Sequence, residues 1–127
     1  MKTNRRHRNS RGFSLIELMV VVIILGTLAG MALPGYLSSV YASREGAANA
    51  NARTISQAVQ THGVTTGSYD TTLTDYAADL GGSIPVNPCT GTTSGYSIAI
   101  TSTGATIAAS AGAACGVWIP TAYSVSL

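Results

Sequence analysis

The chain has 127 residues, which favours a single domain, and only 9% of them are charged, too few for an ordinary soluble surface. Five of its seven basic residues (Lys2, Arg5, Arg6, Arg8 and Arg11) fall in the first eleven positions. From Phe13 onward Arg44 and Arg53 face five carboxylates (Glu17, Glu45, Asp70, Asp75 and Asp79), a net of −3 that excludes bulk attraction to nucleic acid or an acidic surface beyond the leader.

The first predicted element is an apolar helix. Between Leu18 and Leu33 the only polar side chain is Thr27, and counting back to Phe13 gives twenty-one residues, about 30 Å of helix and enough for a bilayer's hydrocarbon core. The basic residues before it place the N-terminus on the cytoplasmic side. A cleaved secretory signal peptide has a similar start, but this run exceeds the roughly 7–15 residues of such a segment and passes into a helical pattern, not a loop. A plain membrane anchor gives no reason for Glu17, a carboxylate at the edge of the run that costs about 2.5–3.5 kcal/mol at bilayer depth unless partnered.

Gly12-Phe13-Ser14-Leu15-Ile16-Glu17-Leu18-Met19, with a basic leader before it and an apolar helix containing Pro34 after it, resembles the class III signal sequence of type IV pilins and pseudopilins. The resemblance covers roughly residues 11–60. It implies that a membrane-embedded prepilin peptidase cuts after Gly12 and that Phe13, the new N-terminus, is N-methylated. It also gives Glu17 a partner, the Phe13 amine of a neighbouring subunit, so that the uncut leader blocks assembly. The implied fold is α+β: a long N-terminal helix, membrane-spanning in its first half, packed by its second half on a small antiparallel sheet. The implied organisation is a cleaved leader (1–12), a transmembrane or filament-core helix (13–35) and a head (36–127).

Gly26, Gly30 and Pro34 mark where the helix is expected to bend or lose hydrogen bonds, since proline lacks an N–H and clashes with the preceding turn. In similar pilins the equivalent stretch is often unwound. Gly26 and Gly30 also match GxxxG, a helix-pairing spacing, although bilayer tolerance of glycine accounts for it more simply.

After Pro34 an amphipathic stripe of Leu37, Tyr41, Ala48, Ala52, Ile55 and Val59 predicts a helix continuing to His62, with Gly63 as its C-cap. Ser43, Arg44, Asn49, Asn51, Arg53 and Gln57 fall between the stripe positions. Residues 71–80 predict a short helix with a threonine cap, stopped by Gly81-Gly82. Strands are expected at 96–101, 105–109 and 116–119, with Thr103-Gly104 as a tight hairpin turn. No internal repeat is present.

Cys89 and Cys115 are the only cysteines. Two thiols with His7 and His62 do not make a four-ligand zinc set, so no metal and no cofactor are expected, and in an exported head a disulfide is the expected use. The resemblance places it around the outward-facing variable loop, whose twenty-five enclosed residues carry no charge here and offer no direct nucleic-acid site. No phosphate loop, metal motif or nucleophile elbow occurs, and His62 with Asp70, Asp75 or Asp79 and a serine is a combination that chance supplies freely, so an enzyme is not expected.

The resemblance implies a structural subunit that polymerises with copies of itself and with other pilins into a type IV pilus serving adhesion, twitching motility or DNA uptake. It would lie in the bacterial inner membrane before assembly, and in an extracellular pilus, at the cell surface or in the periplasm afterwards. The alternatives are a pseudopilin of a type II secretion system and a monomeric membrane-tethered binding module.

Overall fold

A computed structural model describes residues 12–101 and 103–126; the leader's basic residues lie outside the described residues. The chain forms α1 (Leu15–Thr66), β1 (Tyr96–Thr101), β2 (Gly104–Ala109) and β3 (Ala122–Ser126), with 3₁₀ turns at Leu73–Tyr76 and Ala113–Cys115. Its contacts divide it into one unit ending at Tyr36 and a second from Leu37 onward. The architecture is α+β, a long helix and a three-stranded antiparallel sheet.

In the first unit, every described residue from 12 to 36 is exposed, including Met31 at 82%. Apolar side chains all round a helix need lipid or other protein to cover them, and α1 is long and apolar enough there to cross a membrane by length and composition. Thr27, the one hydroxyl of the run, donates to the Ile24 carbonyl at 2.9 Å, so its side chain is not left bare in the apolar stretch. Residues 26–34 are helical, Pro34 lying inside α1.

In the second unit, α1 buries Ala48, Ala52, Ile55, Val59 and Gly63, a run of steps of four and three that keeps one face inward. The predicted stripe is thus covered from Ala48 on, whereas Leu37 and Tyr41 stay 44% and 37% exposed. The sheet is a meander in the order β1-β2-β3. Its register stacks Ile98, Ile107 and Tyr123 in one row and Ile100, Ala105 and Val125 in the next, with Tyr96 opposite Ala109. All eight belong to or pack against the core that holds the helix face. Fully burying a side chain the size of Ile55 or Ile107 contributes about 1.5–3 kcal/mol.

Three local expectations change. Gly63 does not cap the helix, because α1 runs on to Thr66 and Gly67, at φ 76°, donates its N–H to the Gly63 carbonyl at 2.8 Å, the αL closure. Gly63 is instead a packing position, where a Cβ would press into the Tyr69 ring. Gly63→Ala gains up to about 1 kcal/mol of helix propensity but incurs overpacking of about 1–3 kcal/mol. A net loss near 1 kcal/mol is expected in thermal melts of the detergent-solubilised chain, and a raised midpoint would refute it.

The helix expected over 71–80 contracts to the single turn Leu73–Tyr76, and Thr72 caps it with no side-chain hydrogen bond. The strand expected at 116–119 is not a strand. Val117 and Ile119 are fully exposed around half-buried Trp118, and Pro120 lacks the donor a ladder needs; β3 forms just beyond. Gly104 is the first residue of β2, paired with Thr101, and a Cβ there would collide with the Val125 backbone.

Candidate assembly site at the helix N-terminus

Gly12, Phe13 and Ser14 precede α1 and are not helical. Phe13 is 82% exposed, and a Cβ added to Gly12 would meet nothing within 4 Å. Among the described residues, then, no packing demands glycine at position 12.

Ser14 stands immediately before the first helical residue and Glu17 three residues later. The Ser14 N–H donates to Glu17 Oε2 at 2.9 Å, the reciprocal half of a capping box, in which the third helical residue reaches back to the cap's own amide. A carboxylate in the first turn also complements the positive end of the helix dipole. Within one chain, then, Glu17 has a local partner for one of its oxygens. The S-x-x-E spacing was available in the sequence as a signal for this and went unused.

Phe13, just outside the helix, and Ile16, Glu17, Val20 and Val21 of its first turns line one shallow recess. The acid sits on an exposed apolar face, so whatever covers that face meets a carboxylate.

These observations suit similarity at the same end of the chain. Residues 7–33 match the family model described as the prokaryotic N-terminal methylation motif. The chain carries a prokaryotic N-terminal methylation motif at this end. Fifty-five residues are 38% identical to the type IV major pilin protein PilA of Myxococcus xanthus (strain DK1622), a match covering 43% of this chain and 25% of that relative. The chain thus spans about a quarter of the length of the curated pilin it matches. No solved structure matches the chain significantly.

Beyond the matched motif, Cys89 and Cys115 are joined in a disulfide. Sequence reasoning missed how the region around it is held. Asn87 is fully buried; its Nδ2 donates to the Gly95 carbonyl at 2.5 Å and the Ser110 carbonyl at 3.1 Å, while its Oδ1 accepts the Cys89 N–H at 2.8 Å. The polar positions between the helix stripe tie down loops: Arg44 donates to the Ala114 carbonyl, Asn51 to the Val86 carbonyl, and Asn49 accepts from Thr121.

His62 lies between two carboxylates, with Nε2 at 3.0 Å from Asp70 and Nδ1 at 3.0 Å from Asp79; Asp75 is not in this group. Tyr76, edge-on to the imidazole, accepts the Asp70 N–H and donates to the Asp70 carbonyl, both at 2.7 Å. Burial pushes the Tyr76 phenol above its ordinary value, the Asp70 amide pulls it back, and the Asp70 and Asp75 charges push it further up, so the hydroxyl keeps the proton it donates. With both ring nitrogens engaged by aspartates, neither is placed to activate a hydroxyl nucleophile. Among the described residues no group of three or more histidines, cysteines or carboxylates is placed to hold a metal ion.

Proposed function

We propose that this chain is the precursor of a filament subunit, structural and not catalytic. A prepilin peptidase removes residues 1–12, Phe13 is methylated, the apolar part of α1 holds the subunit in the inner membrane, and copies then polymerise with one another and with other pilins into a type IV pilus. The observation that carries this reading is the place of Glu17, on an exposed apolar helix face beside Phe13. Cleavage turns the Phe13 amide into an amine, a positive charge for the Glu17 of the next subunit. One oxygen of that carboxylate serves the Ser14 amide of its own chain, and a carboxylate has acceptor capacity to spare.

Mass spectrometry of the membrane fraction tests the first step: loss of residues 1–12 with one methyl group on Phe13 supports maturation, whereas an intact monomeric chain supports a membrane-tethered binding module. Shearing cells and pelleting fibres tests the second. A secretion-system pseudopilin is the second reading, and the Cys89–Cys115 disulfide weighs toward the pilin. Surface adhesion, twitching and DNA uptake are the roles such a fibre would serve.

Because no described residue crowds position 12, the need for glycine there is assigned to the peptidase. Gly12→Val is expected to block maturation almost completely and Gly12→Ala to be largely tolerated, read as the ratio of uncut to cut chain. Normal processing of the valine variant would remove the peptidase from the explanation.

A further inference from the structure

We propose that the surface where residues 114–121 cross α1 is a seat for a second copy of this chain, whose Arg53 pairs with Glu45. This rests on the filament reading and deepens it by naming surfaces of the second unit that meet. Residues 114–121 are strapped to the helix: Arg44 Nη1 donates to the Ala114 carbonyl at 2.9 Å, a Cβ at Gly116 would touch the Tyr41 ring at 3.9 Å, and the Thr121 N–H donates to Asn49 Oδ1 at 3.2 Å. Trp118 packs inward against the core, while Val117 and Ile119 on either side of it are fully exposed. With Tyr41 and Leu37, also exposed on the helix, they form an apolar patch of the kind that another surface covers.

Charge says what covers it. Tyr41, Glu45 and Asn49 stand at four-residue steps on one row of α1, so Glu45 lies between two of the strap's contacts with the helix. It is half-buried, and its carboxylate has neither an ion pair nor a hydrogen bond with any described residue. Covering it without a cation would leave a charge buried and unpaired. Of the two arginines beyond the leader, Arg44 is engaged by the Ala114 carbonyl, whereas Arg53 is exposed and pairs with no described residue. Within one chain Glu45 and Arg53, eight positions apart, stand about 12 Å along the helix and about 80° around it from each other.

Between two copies that separation becomes a fit. Copies held in one membrane with their N-termini on the same side are parallel, and sliding one by about 12 Å brings its Arg53 level with the Glu45 of the other. Because the two residues lie on different faces of the helix, a copy that receives an arginine at Glu45 still offers its own Arg53 to the next. Such a head-to-tail contact does not close on itself in a pair and extends as a filament. Tyr41, Val117 and Ile119 leave water in the same step, and the pair they cover is screened less by salt than one on an open surface.

The test uses fibres sheared from cells that carry each variant as the sole copy. Glu45→Arg and Arg53→Glu should each cut fibre yield about tenfold, since like charges then face each other, and the two together should restore it to within about twofold. Both replacements are good helix formers, and the mass of the processed chain should show leader removal and methylation unchanged. Val117→Ser with Ile119→Ser should lower the yield while leaving the melting midpoint of the detergent-solubilised chain in place. A second measurement is direct: oxidised fibres of the chain with Glu45→Cys and Arg53→Cys should give a ladder of covalent oligomers on a non-reducing gel, and either substitution alone should give none. Absence of wild-type fibres would overturn the filament reading and this proposal with it. Given wild-type fibres, normal yield from the single reversals, a double reversal no better than either, dimers from one cysteine substitution alone (a back-to-back pair) or no ladder (a seat for some other protein) would overturn this proposal and leave that reading standing.

Discussion

Glu17→Val is expected to eliminate surface filaments while leaving leader removal intact. Valine removes a carboxylate whose cost at bilayer depth is about 2.5–3.5 kcal/mol, so membrane insertion should be unchanged or improved. The lost Ser14 bond frays one turn at an exposed helix end and does not touch Gly12. What valine cannot replace is a negative charge on the face that holds Phe13. In a packed filament core the Phe13 amine of the neighbouring subunit would then be buried without a counter-charge, at a cost of about 3–5 kcal/mol per subunit interface, repeated at every step of polymerisation. Glu17→Gln separates the two duties of this side chain, since an amide oxygen can still accept from Ser14 but carries no charge. Processing is checked by mass and assembly by shearing, with each variant as the sole copy. Wild-type fibre yield from the valine variant would end the pairing hypothesis, and failure of both variants to assemble would assign the function to charge and not to the cap.

Asn87→Ala is expected to destabilise the second unit by about 3–5 kcal/mol, at least as much as removing the disulfide. The residue has no exposed surface, and its side chain satisfies two carbonyls and one amide around Cys89. Alanine leaves those groups buried and unpaired, at about 1–3 kcal/mol each before relaxation. Loss of the disulfide, by the chain-entropy argument, costs about 3 kcal/mol. Melting the detergent-solubilised variants, followed by Trp118 fluorescence, ranks Asn87→Ala against the double Cys89→Ser, Cys115→Ser chain. A loss below about 1 kcal/mol for Asn87→Ala would show that the loop is held by packing and the disulfide alone.

What the sequence revealed depended on the range of the interactions involved. The apolar helix and the covered stripe from Ala48 to Val59 were readable because helical periodicity is a local property. The first two strands were readable because alternation and a two-residue connection are local as well. The stretch 116–119 has the composition of a strand but no partner, and β3 has a partner but too little sequence signal to be noticed: pairing is decided by what lies alongside. Gly63 looked like a cap because glycine at a helix end usually is one, and only the Tyr69 ring shows why glycine is needed a turn earlier. At the candidate site, Gly12, Phe13 and Glu17 stood out by motif. The Ser14 contribution was present as a spacing, whereas Asn87 and the His62 clasp depend on residues brought together across loops and carried no such mark.

The β1–β2 hairpin lies wholly inside the covalent ring closed by Cys89 and Cys115. Its strands are joined by a two-residue connection, so it can zip up within microseconds of reaching an aqueous compartment, long before any oxidant acts. Once Tyr96 is paired with Ala109, only seven positions separate Cys89 from one end of the ladder and six separate Cys115 from the other. The thiols then search a short tether and not the whole enclosed chain. Oxidation in this protein would record a topology already reached, with the hairpin acting as the template that selects the pairing. The order of events on the outer side of the membrane would be zipping first and covalent locking second.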